Sequence, residues 1–216
     1  MPVRIFHWVT AAAVTVLLIT GFYIGRPVLA PSGEAAAHFL MGGMRYWHGV
    51  FAFIFIAILL LRLYWFWAGK VEAKIRFWQK YFWRDVGTTL KYYAFLSPQH
   101  TIHLGHNAMA QISYLTIIWL NGALMIVTGM ALRGSATGQG IYALFRWPIS
   151  LCGETRIRLI HHFMSWLFPI FVLIHLYLAF RQDLLDRDGT MSSIFNGFKY
   201  IKENEAEAGQ GENSRK

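Results

Sequence analysis

Charge is scarce in this sequence. Asp, Glu, Lys and Arg make up 14% of its 216 residues, where a soluble domain of this size carries about 25%. Cysteine is scarcer still. Cys152 stands alone, so the chain has no internal disulfide and no C-x-x-C-H for covalent haem attachment. Acidic residues are also few, 11 against 20 basic ones, leaving a net charge of +9.

What fills the sequence is apolar: 56% of residues are hydrophobic and 17% aromatic. They gather into four stretches, 6–24, 50–67, 112–132 and 159–180. Each is near the ~20 residues an α-helix needs to cross ~30 Å of hydrocarbon. A helix satisfies its own backbone hydrogen bonds in lipid, so the reading is an all-α, integral membrane four-helix bundle. The first stretch has a rival reading as a signal peptide, with Val28, Leu29 and Ala30 before a cut. Pro31 directly after that point disfavours cutting, and helix one is expected to stay. Residues 1–202 form the membrane domain, and the charged, Gly-containing segment 203–216 reads as a disordered cytoplasmic tail.

The basic residues set the expected topology. Lys70, Lys74, Arg76, Lys80, Arg84 and Lys91 lie between stretches two and three. Arg181, Arg187, Lys199, Lys202, Arg215 and Lys216 follow stretch four. The other two connections hold only Arg26, Arg45, Arg133, Arg146, Arg156 and Arg158. Both termini and the middle loop are therefore expected in the cytoplasm. The positive charge is a topology signal suited to anionic lipid heads, not a nucleic-acid footprint. The middle loop interleaves Trp78, Tyr81, Phe82, Trp83, Tyr92, Tyr93 and Phe95 with basic residues. That pattern fits an interfacial amphipathic helix or a loop bearing ordinary belt aromatics.

The nine histidines carry the chemistry. His7, His48, His161 and His175 lie within or at the edges of the apolar stretches, where an ionisable side chain is costly and faces a functional partner. Fourteen residues separate His161 from His175. On one uninterrupted helix that leaves them about 40° apart and ~21 Å apart along the axis. His162 would point about 100° away from His161, so one of the two shares the face of His175, and His161 fits better. By depth the four sort into two level pairs, His7 with His175 and His48 with His161. Each pair comes from two helices, so a macrocycle fits between. Ligation by two imidazoles leaves iron no open position and favours electron transfer. Two haem b groups are thus expected between the helices.

The same spacing singles out Gly21, fourteen residues after His7, where a missing side chain would let the helix approach a porphyrin edge. It also singles out Arg62, fourteen after His48, as a partner for a haem propionate or a snorkelling interfacial arginine. His100, His103 and His106 come closer to metal spacing, but their surroundings read as loop. One of them could instead deliver protons to a quinone.

At this point the residues match a known family. The chain resembles the cytochrome b subunit of membrane-bound nickel–iron uptake hydrogenases. The resemblance is carried by residues 2–8 (PVRIFHW), 21–27 (GFYIGRP), 39–42 (FLMG) and 62–65 (RLYW). Gly105, His106 and Asn107 add to it, as do His175, Leu176, Tyr177, Arg181, Gln182 and Asp183. These run over nearly the whole chain in the family's order. Ala108 stands where the family has proline, and Arg158 where relatives often carry a further histidine. The resemblance implies axial ligands at His7, His48, His161 and His175. It implies an inner-membrane anchor for the hydrogenase small and large subunits on the periplasmic side. It also implies a conduit taking electrons from hydrogen oxidation to membrane quinone, with no hydrogen-activating site in this chain. The same layout would serve a formate- or thiosulfate-type dehydrogenase or a stand-alone cytochrome. A haem-free scaffold or transporter is the reading from a different class.

Overall fold

The computed structural model describes residues 2–29, 39–68, 80–93, 96, 108–138, 140–186, 192 and 194–195. Among the described residues the chain is almost entirely helical, with no strand. The elements are α1 (Pro2–Gly25), α2 (Leu40–Ala68), α3 (Lys80–Tyr93) and α4 (Ala108–Ser113), then a π-helical segment, Tyr114–Asn121. They continue as α5 (Gly122–Thr137), a 3-10 turn (Gly140–Phe145), α6 (Trp147–Cys152), α7 (Glu154–Ser165) and α8 (Leu167–Asp186). Four helical stretches are long and apolar enough to span a membrane: Arg4–Gly25, Leu40–Trp65, Gln111–Thr137 and Glu154–Arg181. The fold class is the one the composition implies. His100, His103, His106, the Ala30–Pro31 junction and the tail 203–216 fall outside the described residues.

Two spans differ in detail from the sequence reading. The second begins at Leu40 rather than near residue 50. Gly42, Gly43, Arg45 and His48 dilute its first turns without breaking the helix, so His48 sits inside α2 and not at its mouth. The fourth span is interrupted at Trp166, between α7 and α8. Pro169 is the cause: it offers no amide hydrogen, and its ring collides with the carbonyl four residues back, at Ser165. The amides of Trp166 and Ile170 are left with the Phe163 and Trp166 carbonyls, 3.2 and 3.3 Å away. The fourteen-residue count from His161 to His175 therefore does not run along one unbroken helix.

The chain divides into two compact units, residues 1–69 with 119–170, and residues 70–118 with 171–216. In the first unit α1 packs on α2 and α5 on α7, with the 3-10 turn and α6 folded against α5. Its buried positions mix small or polar residues, among them Ala13, Thr20, Asn121, Thr128, Ala131 and Gly134, with larger apolar ones such as Phe55, Ile58, Leu59 and Phe168. Large apolar side chains such as Ile19, Leu60 and Leu159 point outward. So many outward apolar side chains suit a membrane, where helices gain nothing by hiding leucine from lipid and also meet through small residues and interhelical hydrogen bonds. Gly134 lets the Tyr142 carbonyl come so near that a Cβ would collide with it. Gly138, at φ 65°, ends α5 in the left-handed conformation, with its amide on the Gly134 carbonyl. Ser135 donates to Glu154 at 2.6 Å, and Glu154 also pairs with Arg158 one turn on.

In the second unit, α3 packs on α4. Phe82, Asp85 and Thr89 share its buried face, while Trp83 and Leu90 are exposed. A stretch of the middle loop is thus an amphipathic helix, one of the two forms its sequence left open.

Candidate functional site

Two threonine–glycine steps in the first unit each receive a histidine from the helix packed against them. Thr20 and Gly21 on α1 face His48 on α2. The threonine Oγ1 lies 2.9 Å from the imidazole Nδ1, and a Cβ built on Gly21 would stand 3.1 Å from Cε1. Thr128 and Gly129 on α5 face His161 on α7 in the same way. Oγ1 is 2.8 Å from Nδ1, and a Cβ on Gly129 would stand 3.1 Å from Cε1. The missing Cβ lets each ring lie close against a backbone, and the hydroxyl holds one of its nitrogens. Interhelical hydrogen bonds in a bilayer contribute about 0.6 kcal/mol on average. Such bonds do more to orient a ring than to hold a fold together. His48 and His161 both lie in this unit.

His162 turns the other way. Its ring meets Phe22 of α1 edge-on, with centroids 5.8 Å apart, and a Cβ on Gly25 would be 3.5 Å from its Cε1. The adjacent histidines are thus divided: His161 enters a threonine–glycine cradle and His162 packs on an aromatic ring.

The antiparallel register of α1 and α2 marks a second level. Arg62 places its guanidinium 5.8 Å above the Phe6 ring, next to His7 in the chain. From Phe6 to Thr20 is fourteen residues on α1, and from His48 to Arg62 is fourteen on α2. The two contacts are rungs of one ladder, ~21 Å apart along the helices. His7 is at the lower rung, where its ring meets Trp8 edge-on with centroids 5.3 Å apart. His175 belongs to the second unit and stacks on Phe171, with centroids 5.5 Å apart and planes 19° apart. His7 and His175 are therefore each described in their own unit. Gly21 faces the imidazole of His48, a neighbour that the count from His7 did not supply.

Four residues escaped the sequence reading. Thr20, Thr128 and Gly129 complete the cradles. Arg133 lies across from α5 to α2, 5.3 Å from the Tyr142 ring centre, with a guanidinium nitrogen 2.8 Å from where a Gly49 Cβ would be. One signal was available: Thr20–Gly21 and Thr128–Gly129 are the Thr–Gly steps that lie inside the apolar stretches. Among the described residues, no three His, Cys, Asp or Glu side chains converge as a metal cluster.

Comparison with known proteins places the chain in a family. The profile of the prokaryotic cytochrome b561 family matches residues 1–197. A probable Ni/Fe-hydrogenase B-type cytochrome subunit of Cupriavidus necator is 37% identical, over 94% of this chain and 86% of its own length. The probable subunit of the same description from Rhizobium leguminosarum bv. viciae is 34% identical, over 94% and 88%. The probable Ni/Fe-hydrogenase 1 B-type cytochrome subunit of Escherichia coli K12 is also 34% identical, over 93% and 89%.

Proposed function

Since the chain belongs to the prokaryotic cytochrome b561 family, we propose that it is a dihaem electron-transfer subunit passing electrons from a nickel–iron hydrogenase to membrane quinone. Family membership makes it a membrane cytochrome of the b type. The observation that carries the finer reading is the matched pair of cradles that orient His48 and His161 inside one helical unit. The residues fit a haem: the rings are fixed at one nitrogen, and glycine keeps side chains from crowding them.

His48 and His161 would hold one haem, His7 and His175 the other. Haem b, when bound, supplies a one-electron couple, and two imidazoles leave its iron no open coordination position. The chain's own contribution is orientation, charge and a dry surrounding. Arg62, beside Phe6, is the cation placed to meet a propionate at the lower rung, and Arg133, beside Gly49, its counterpart near His48. The basic middle loop and C-terminal segment put both termini on the cytoplasmic side of a bacterial inner membrane. The hydrogenase small and large subunits then dock on the opposite side, near the His48 rung.

The test is the haem-to-polypeptide ratio of the purified chain, with a reduced-minus-oxidised spectrum. A ratio near two with a b-type α-band is expected. His161→Leu should lower it to near one, while His162→Leu should leave it unchanged. An absent α-band, or loss of haem on replacing His162 but not His161, refutes the assignment. Co-purification of hydrogenase subunits, in place of those of a formate- or thiosulfate-type dehydrogenase, checks the partner.

A further inference from the structure

A threonine hydroxyl carries one proton, and in both cradles its destination is visible. Thr20 Oγ1 lies 2.7 Å from the Val16 carbonyl and 3.3 Å from that of Leu17. Thr128 Oγ1 lies 2.7 Å from the Leu124 carbonyl and 3.3 Å from that of Met125. Carbonyl oxygens only accept, so each hydroxyl donates to its own helix and turns a lone pair outward. That lone pair meets Nδ1 of His48 or His161 at 2.9 and 2.8 Å. An unprotonated Nδ1 would set lone pair against lone pair; a protonated one makes a hydrogen bond.

We propose that Thr20 and Thr128 are positioning residues that lock His48 and His161 as Nδ1–H tautomers, so that both present the Nε2 lone pair to a shared iron. The inference rests on the reading of those two histidines as ligands. A ligating imidazole usually donates its other N–H to a neighbour, and that bond sets the tautomer and raises the basicity of the ligating nitrogen. Threonine suits the task because its branched Cβ limits χ1 while the hydroxyl reaches back one turn. Back-bonding alone is ordinary in this chain, since Thr10, Thr15, Thr116 and Thr137 also do it. Thr20 and Thr128 add an imidazole to it, and each is followed by the glycine that admits the ring. The same device thus occurs twice, once on each side of one expected iron.

The experiment uses the full chain with its haems, comparing Thr20→Val and Thr128→Val with the two serine variants. Valine keeps the shape and deletes the acceptor; serine keeps the acceptor. Readouts are haem content, the midpoint potential of each haem and the ferric low-spin resonance spectrum. Loss of the acceptor makes imidazole a weaker donor to ferric iron. One haem should therefore become easier to reduce, with about a tenfold higher ferrous-to-ferric ratio at fixed potential, which is 59 mV for one electron. The other haem should not move, and serine should restore the wild-type value. Loss of that haem in the valine variants with retention in the serine variants also supports the proposal. Fully loaded valine variants with unmoved potentials overturn it, as does equal haem loss in valine and serine variants. A wild-type chain with no b-type spectrum would instead fail the ligand reading itself, and this proposal with it.

Discussion

A glycine is informative when the atom it lacks has a named neighbour, and this chain offers a contrast within one helix. On α5, a Cβ at Gly129 would press on the edge of the His161 ring at 3.1 Å, while a Cβ at Gly134 would run into the Tyr142 backbone. The first neighbour is a side chain that can tilt; the second is a carbonyl fixed in a 3-10 turn. Gly129→Ala should therefore spare the fold and lower haem retention about tenfold, the scale on which disturbing the group that orients a ligating imidazole acts. Gly134→Ala should lower the melting temperature through an overpacking cost of about 1–3 kcal/mol, leaving the α-band of the folded protein unchanged. Thermal melts paired with haem assays separate the two. A haem defect confined to Gly134→Ala would refute the assignment of Gly129 to the cradle. Gly21 was legible in the sequence as a gap on the face of His7, because helical spacing reports which residues share a face. The partner across the gap was not legible, since it depends on the register of α1 against α2. Thr20 and Thr128 carried only the faint signal of a following glycine, because threonine in an apolar helix commonly bonds its own backbone and only packing shows which hydroxyls also meet an imidazole.

Elements were legible to the extent that hydropathy defines them. The four apolar stretches are the cores of the four candidate spans, because a run of apolar side chains and a helix long enough for a bilayer are the same constraint seen twice. What hydropathy could not show is where a helix changes its hydrogen bonding without changing its polarity. The third span runs as a π-helix over Tyr114–Asn121, eight residues as apolar as those around them. At its end the buried Asn121 donates to the Met164 carbonyl at 3.3 Å, just before the interruption at Trp166. Pro169 was visible throughout, and its consequence lies between the two histidines assigned to span four. Pro169→Ala supplies the missing amide for Ser165 and removes the ring that obstructs it. Amides around Trp166 should then gain protection in hydrogen exchange, and haem retention should fall as the rotation between His161 and His175 changes. Unaltered haem content together with restored protection would show that the interruption plays no part in placing the ligands.

At the scale of the whole molecule, the two rungs have unequal support, and that inequality points to the decisive variant. The upper rung is built of contacts within one unit: two helix pairs, two threonines, two imidazoles. The lower rung has Arg62 over Phe6 beside His7 in that unit, while His175 lies in the other. If basic residues fix the orientation as proposed, the lower rung faces the cytoplasm. Electrons arriving from a periplasmic hydrogenase would then have to reach that side to reduce quinone there. His175→Leu removes a proposed ligand of the second haem and touches neither cradle. One haem per chain should remain, reducible by hydrogen through the attached hydrogenase. Hydrogen oxidation with an artificial acceptor should continue at the wild-type rate, while hydrogen-driven quinone reduction falls on the order of tenfold or more. Undiminished quinone reduction in a complex with that haem demonstrably absent would move the quinone site to the upper rung. It would also reverse the direction in which the ladder is climbed.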